Sequence, residues 1–204
     1  SFYLYNVYNC VEVYCIMVTG YSKERIRYAK ESVKNWREQT YMKKKLIIIN
    51  QSKTSIIKDN NDDNILELYV NNKDKTLGHI RNIGINLVPP DKYWTTWDDD
   101  DWRGNNYLEE MMKHIGNNDF LMFTKRYEYN KNTGFVFESE LKSGFSIFFA
   151  KQNIDLVYDD VNTLEDVQMK KYALQHLNVK TYVNDPILYI RLIHDENTSP
   201  YVNK

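Results

Sequence analysis

The stretch that decides the fold is Tyr93-Trp94-Thr95-Thr96-Trp97-Asp98-Asp99-Asp100-Asp101-Trp102, an aromatic and β-branched run that ends in four aspartates. Residues 93–97 have the composition of a buried strand. Carboxylates packed together without a cation repel one another, which raises their pKa values. Oxygen ligands suit a hard divalent cation such as Mn²⁺ or Mg²⁺. A solvated acidic turn is the alternative, but the position of the aspartates after a strand and between two tryptophans favours a metal site.

The composition limits the classes of protein that fit. The 204 residues suit a single domain over residues 1–204 with a sizeable core. Because 27 basic residues nearly balance 28 acidic ones, no field of one sign favours a nucleic-acid or membrane partner. Two cysteines, Cys10 and Cys15, are too few for a disulfide framework. With no signal-like start and no long apolar run, we expect a cytoplasmic chain without a membrane span.

Strands and helices alternate in the part of the chain before the aspartates. Apolar runs predict strands at residues 11–18, 46–49, 65–70 and 93–97, and helical spacing predicts helices at residues 26–36 and 78–87. This alternation predicts an α/β fold with a mostly parallel central sheet flanked by helices. Because ligands bind beyond the carboxyl ends of such strands, we expect the site near Thr19, Asn50 and Asp98.

The second half of the chain has a different pattern. Helical spacing covers residues 108–115 and 164–177, and strand-like segments cover residues 120–129, 133–138 and 145–149. Strands that follow one another without a helix between them do not continue a parallel alternation. We therefore expect a mixed second half.

The acidic run is similar to a motif of a known family. Asp98 to Trp102 resembles the D-x-D-D segment that follows a central strand in the inverting glycosyltransferases of family 2, which have the GT-A fold. A D-x-D pattern alone is a weak signal, but further stretches appear in the family's order. The resemblance implies that Asp98 and Asp100 hold the metal, and that Asp98 and Asp99 contact the diphosphate and ribose of the donor. It leaves Asp101 as a structural residue.

The start of the chain carries part of the same resemblance. Residues 16–21 are similar to the family's first strand, residues 29–33 to its first helix and residues 39–41 to its Q-T-Y segment. In the family, the residues after the first strand touch the nucleoside. The resemblance therefore implies that Thr19 and Tyr21 bind the donor.

Two more stretches lie on the donor side of the resemblance. Asn50 stands where relatives carry an aspartate that bonds uracil, and an amide can also bond a base edge because it offers a donor and an acceptor. Residues 78–84 resemble the family's G-x-x-x-R-N-x-G helix. The resemblance implies that Arg81 lies near the nucleotide.

The last two stretches concern catalysis and the metal. Residues 163–168 are similar to the E-D pair that opens a late helix, which implies that Asp166 is the catalytic base; plain helix capping is the alternative. Residues 189–199 resemble the Y-R-x-H-x-x-N-x-S tail of bacterial-type members. The resemblance implies that His194 completes the metal shell or touches the diphosphate, and a purely structural histidine is the alternative.

Together these stretches imply a metal-dependent, inverting glycosyltransferase of the hexosyltransferase type. Its donor would be a nucleoside-diphosphate sugar, with a UDP-sugar favoured, bound by residues 1–102. Its acceptor would be a hydroxyl of a glycan, a protein or a small molecule, bound by residues 103–204. Two alternatives stay open at this point. A metal-dependent nucleotidyltransferase would need a basic phosphate-binding loop near the first strand, and a non-catalytic carbohydrate- or metal-binding module would have no use for Asp166.

Overall fold

The fold is that of a computed structural model, which describes residues 11–57, 62–71, 75–140, 147–195 and 197. Within these ranges the strands are β1 Val13–Thr19, β2 Lys44–Asn50, β3 Ile65–Tyr69, β4 Tyr93–Thr96, β5 Trp102–Arg103, β6 Phe120–Phe123, β7 Lys125–Asn130, β8 Val136–Glu140, β9 Phe148–Lys151, β10 Val179–Tyr182 and β11 Tyr189–Ile193. The helices are α1 Lys23–Arg37, α2 Leu77–Ile85, α3 Tyr107–Ile115 and α4 Val167–His176, with a 3₁₀-helix at Pro186–Leu188.

Seven strands form the central sheet, in the order β10-β6-β9-β4-β1-β2-β3. Neighbouring strands are parallel, except that β9 is antiparallel to both β4 and β6. The expected mostly parallel sheet flanked by helices is therefore confirmed. Thr19 pairs with Asn50 at the carboxyl ends of β1 and β2, and β4 ends beside them. This edge of the sheet is where the aspartates begin.

Helices cover both faces of the central sheet. Alternate residues of β1 point to opposite faces and pack against different helices. Cys15 and Met17 pack in a buried cluster that also contains Trp36 of α1 and residues of α3. Ile16 packs in a second cluster with Ile80 of α2 and residues of α4. Both faces of the central strands are therefore apolar, which explains the unbroken apolar run in β2.

A second sheet has the order β5-β11-β7-β8. Here β11 is parallel to β7 and antiparallel to β5, and β7 is antiparallel to β8. The single strand expected at residues 120–129 divides into β6 and β7, which belong to different sheets. The division falls at Thr124, where Asn184 Oδ1 accepts the backbone N–H groups of Thr124 (3.0 Å) and Lys125 (2.9 Å). The expectation of one strand was wrong because this distant amide ends the first strand.

The helix expected at residues 164–177 also begins later than the sequence indicates. Its first helical residue is Val167, because Leu164 has a positive φ of 58°. A leucine rarely adopts this left-handed conformation, which interrupts a helix. The first two residues of the strand expected at 145–149 lie outside the described residues, and β9 continues from Phe148.

Candidate active site

A cavity of about 450 Å³ opens at the carboxyl ends of β1, β2 and β4. It is lined by Val18, Gly20, Arg25, Gln51, Leu77, Arg81, Thr96, Asp98, Asp99, Asp100, Asp101, Arg126, Phe148, Tyr158, Asn162, Leu164, Glu165, Asp166, Arg191 and Asn197. The wall therefore contains residues of both sheets. It brings Arg81 and Asp166 together with all four aspartates, although long stretches of chain separate them.

Asp98 is the most accessible of the first three aspartates. Its side chain is 28% exposed, against 4% for Asp99 and 10% for Asp100. Arg81 Nη2 lies 3.2 Å from Asp98 Oδ1, and the Tyr189 hydroxyl oxygen lies 3.3 Å from Asp98 Oδ2. This carboxylate is thus held in position while part of it faces the cavity.

Asp99 and Asp100 share one arginine. Arg25 Nη1 lies 2.6 Å from Asp99 Oδ1 and 2.7 Å from Asp100 Oδ2. Burial, together with the neighbouring Asp100 charge, raises the pKa of Asp99 to about 7. Burial acts in the same direction on Asp100, but the hydrogen bond from His194 and the charge of Arg25 hold its pKa below the usual range. The arginine is the counter-ion for both carboxylates.

Asp101 ties the acidic run to the second sheet. The Tyr189 hydroxyl donates to Asp101 Oδ2, and the Leu192 backbone N–H donates to Asp101 Oδ1 at 3.0 Å. Burial, reinforced by the charges of Asp100 and Asp98, raises the pKa of Asp101 to about 7. Both oxygen atoms of this carboxylate are used by β11, which fits the expected structural role.

Below the acidic run lies Arg103, whose side chain is fully buried. Its guanidinium carbon is 4.3 Å from the centre of the Trp97 ring and 4.8 Å from that of Tyr189. Its nitrogen atoms donate to the carbonyl oxygens of Thr96 (3.3 Å) and Asp98 (3.4 Å). The arginine thereby joins the end of β4 to the aspartates, and it supplies positive charge beneath them.

His194 lies beside Asp100, and its assignment to a metal or a diphosphate stays a prediction. Its Nε2 is 3.1 Å from Asp100 Oδ2, and its ring centre is 4.8 Å from that of Tyr28. Asn197 fixes this end of the chain, because its Oδ1 accepts the His194 backbone N–H at 2.7 Å and its Nδ2 donates to Asp100 Oδ2 at 3.2 Å. His194 and Asn197 therefore close one side of the acidic run.

On the opposite side, Arg81 connects the aspartates with the start of α4. Its Nη1 lies 2.9 Å from Glu165 Oε1, while its Nη2 contacts Asp98. Glu165 is buried, and burial raises its pKa. Asp166 follows at the N-cap position of α4, yet its side chain makes no capping hydrogen bond. Asp166 therefore does not cap α4 with its side chain, and the residue lines the cavity instead.

The other residues expected on the donor side lie near the cavity but not in its lining. The Thr19 side chain is buried, and Tyr21 is 45% exposed, with its hydroxyl 3.5 Å from Gln51 Nε2. Asn50 is fully buried; its Nδ2 donates to Thr54 O (2.8 Å) and Glu67 Oε1 (2.6 Å), and its Oδ1 accepts the N–H of Ser52 at 2.8 Å. A contact between Asn50 and a base would require these bonds to be exchanged.

Sequence reasoning assigned no role to Arg25 or Arg103. Arg25 is the third residue after Ser22, whose hydroxyl accepts the Arg25 N–H at 3.0 Å and caps α1. An arginine in the first turn of the helix that follows β1 lies beside the carboxyl end of this strand, where ligands bind. This position in the sequence could have identified Arg25 as a site residue. Arg103 gave no comparable signal, because a charged residue near an acidic run is usually on the surface.

The donor atoms suit a divalent cation in their chemistry. Among the described residues no group of three or more histidine, cysteine, aspartate and glutamate side chains has the arrangement of a metal site. Asp98 and Asp100 nevertheless both line the cavity, His194 Nε2 lies beside Asp100, and buried Asp99 Oδ2 has no hydrogen-bond partner among the residues that the structure covers. Oxygen-rich sets of this kind fit Mn²⁺ or Mg²⁺. Arg25 and Arg81 supply positive charge that balances the negative charge of these aspartates.

The positions of two helical glycines explain part of the motif at residues 78–84. A Cβ added at Gly78 would lie 1.7 Å from Asp159 O and 3.3 Å from Glu165 Cβ, and one added at Gly84 would lie 2.4 Å from Ile16 Cγ2. No side chain fits these distances. Gly78 therefore lets the segment before α4 lie directly against α2, which places Glu165 next to Arg81.

We expect Gly78→Ala to lower the free energy of unfolding by about 1 to 3 kcal/mol, which is typical of overpacking. It should also reduce activity, because the segment that carries Asp166 must move away from α2. Gly20→Ala is the matched control for stability, since its Cβ would meet Arg25 Cγ at an ordinary 3.6 Å. Urea denaturation of both variants checks this, and equal stability of the two would contradict the close approach.

A match to a family model identifies the class of protein to which this chain belongs. Residues 15–170 match the family described as glycosyl transferase family 2. The match covers more than half of the chain, and the chain therefore belongs to this family. No curated protein sequence matches the chain.

Three solved structures share the fold of this chain. TarS 1-349 from S. aureus has a TM-score of 0.71 and 14% sequence identity over 89% of this chain and 60% of its own. A further structure of S. aureus TarS gives 0.69 and 14% over 90% of this chain and 37% of its own. The mannosyltransferase PcManGT from Pyrobaculum calidifontis, in complex with GDP-Man and Mn²⁺, gives 0.68 and 11% over 93% and 60%. This chain thus spans 60% or less of these proteins.

Family membership and these structures confirm the expected GT-A fold and general glycosyltransferase class. The identities of 11% to 14% limit the structural likeness to the fold. In the described parts of the chain, no helix has the length and apolar character needed to span a membrane.

Proposed function

We propose that this glycosyltransferase moves a hexosyl unit from a nucleoside-diphosphate sugar to an acceptor hydroxyl, with Mn²⁺ or Mg²⁺ and with inversion at the anomeric carbon. The observation that carries the proposal is that one cavity collects Asp98, Asp100 and Asp166 at the carboxyl ends of the central strands. A UDP-sugar is the favoured donor, and the acceptor is a hydroxyl of a glycan, a protein or a small molecule.

The proposed donor side of the site is the part of the cavity wall that residues 1–102 form. In the proposal Asp98 and Asp100 hold the cation, with His194 beside them, and Asp99 contacts the donor. The bound cation supplies positive charge that stabilises the departing diphosphate. Arg25 and Arg81 hold the carboxylates in place and contribute further positive charge at this wall. Support for a cation comes from PcManGT, whose structure contains Mn²⁺.

Residues near the strand ends complete the proposed donor site. Thr19, Tyr21 and Asn50 are assigned to the nucleoside, and their neighbours Gly20 and Gln51 line the cavity. Tyr21 is exposed, so a base can reach it. Asn50 is buried and bonds the loop at Thr54, so it supports the nucleoside site through this loop; a direct contact with the base requires its amide to give up that bond. Arg81 is assigned to the nucleotide side because it reaches Asp98.

The proposed chemical step uses Asp166 as a general base. Its carboxylate accepts the proton of the acceptor hydroxyl while that oxygen attacks the anomeric carbon. The new bond forms on the face opposite the diphosphate, whose bond to the anomeric carbon breaks, so the configuration inverts. Asp166 stands at the N-cap position of α4, with its side chain free of a capping hydrogen bond. Glu165 has a different role, because its carboxylate pairs with Arg81.

The two alternatives from the sequence have less support. Membership of a glycosyltransferase family argues against a nucleotidyltransferase. A non-catalytic binding module has no use for a carboxylate that lines the cavity without capping its helix.

Removal of divalent cations tests the metal in this proposal. Hydrolysis of a panel of UDP-, GDP- and dTDP-sugars is measured by nucleotide release with Mn²⁺, with Mg²⁺ and with EDTA. We expect release from one nucleotide class with metal, a loss of at least about tenfold with EDTA, and recovery when Mn²⁺ is added in excess. Release that EDTA leaves unchanged would remove the cation from the proposal, and no release from any sugar would remove donor use itself.

A further inference from the structure

Three charged residues share one face of the second sheet. Side chains alternate along a strand, so Arg126 and Glu128 of β7 point to the same side. Arg191 of β11 is paired in register with Glu128, which places its side chain on that side as well. Both arginines line the cavity. The part of the cavity wall that the second sheet forms therefore carries two arginines, with a glutamate on the same face of the sheet.

This trio has more positive than negative charge. Arg126 holds Glu128 Oε1 through Nε at 3.1 Å and Nη2 at 2.8 Å, and both residues are buried. Arg191 Nη1 lies 4.0 Å from Glu128 Oε2, too far for a hydrogen bond, and 22% of its side chain is exposed. A buried charge is unfavourable unless it is paired, and Glu128 forms this pair with Arg126. Arg191 is thus an accessible guanidinium at the cavity wall.

The donor wall has arginines of its own. Arg25 belongs to α1 and Arg81 to α2, the helices that pack on the central sheet, and both side chains contact the aspartates directly. Arg126 and Arg191 come from the other sheet, where both face Glu128. A second pair of guanidinium groups on a separate wall indicates a second anionic group in the same cavity.

We propose that Arg191, supported by Arg126, binds an anionic group on the acceptor, so that the acceptor substrates are hydroxyl compounds bearing a phosphate or a carboxylate. The inference rests on the proposed function, because it assigns this wall to the acceptor. The planar guanidinium group matches the two oxygen atoms of either anion. Glu128 holds Arg126 in place and lowers the net charge of the wall, which disfavours retention of small anions.

The experiment measures acceptor binding when the donor site is already occupied. The protein is saturated with Mn²⁺ and with whichever of UDP, GDP and dTDP binds most tightly. Glucose, glucose 6-phosphate and glucuronate are then titrated by calorimetry, because these three compounds differ only at the sixth carbon. We expect at least one anionic compound to bind about tenfold or more tightly than glucose, as a charged hydrogen bond implies. The phosphate and carboxylate arms identify which anion fits.

Arg191→Gln should reduce this preference for the anion to less than about threefold, whereas Arg191→Lys should keep part of it. Arg37→Gln is the matched control and should keep all of it, since Arg37 is 46% exposed and faces Asp62 on another side of α1. Circular dichroism establishes that each variant is folded.

Several results would overturn the inference. Equal affinity of wild type for all three compounds, or no binding of the two anionic ones, would show that the wall does not select an anion. Competition between glucose 6-phosphate and the nucleotide would assign the arginines to the donor. Failure of every nucleoside diphosphate to bind would instead be a failure of the proposed function.

Discussion

Asp166→Asn is expected to lower the rate of sugar transfer by about 10² to 10⁴-fold, the contribution of a general base. The amide keeps the size of the side chain but cannot accept the proton of the attacking hydroxyl. Donor affinity should change little, because no donor contact is assigned to the Asp166 carboxylate itself. Transfer is followed by nucleotide release under single-turnover conditions, and donor affinity by calorimetry.

The control for this substitution is Asp91→Asn. Asp91 is 85% exposed and has a φ of 62°, a conformation that asparagine also tolerates. It should retain the wild-type rate of transfer. If Asp166→Asn weakened donor binding as strongly as it slowed transfer, the residue would belong to the donor site and the base assignment would be wrong.

Arg103→Met is expected to lower the free energy of unfolding by about 3 to 5 kcal/mol, because removing one partner leaves buried carboxylates without compensation. Methionine fills much of the same space between Trp97 and Tyr189, so the effect reports mainly the lost charge and hydrogen bonds. The measurement is urea denaturation at neutral pH, with the slope of the transition compared between variants.

Arg37→Met is the matched control for this second substitution. Its side chain is 46% exposed, and its distance of 3.5 Å from Asp62 describes a surface ion pair. Such a change should fall within about 0.5 kcal/mol of wild type. An Arg103→Met protein as stable as this control would show that the buried guanidinium does not stabilise the acidic run.

The central sheet could be predicted from the sequence because its determinants are local. The run in β2 is apolar on both faces, and the four aspartates directly follow β4, so strand type and the ligand edge were visible in short stretches. The family resemblance added the order of the motifs. It also led to Asp166, which the cavity places among the aspartates, although its role as the base is still a prediction.

Contacts between distant residues were not predictable in the same way. Arg25 and Asp99 are 74 positions apart, and Tyr189 and Asp101 are 88 apart, so nothing in either neighbourhood indicates the other. The division of residues 120–129 into two strands depends on Asn184, which is also far away in sequence. Side-chain patterns identify which groups can interact, but the fold decides which of them meet.

The attachment of Asp101 to β11 has a consequence for the order in which the protein assembles. A nascent chain that has left the ribosome as far as α4 already contains β1, β2 and β4, whose parallel pairing needs no later residue. Asp101 obtains both of its partners from Tyr189 and Leu192, which are synthesised afterwards. The acidic run is therefore completed only after β11 has been synthesised, and in a growing chain Asp101 lacks both of these hydrogen bonds until β11 docks.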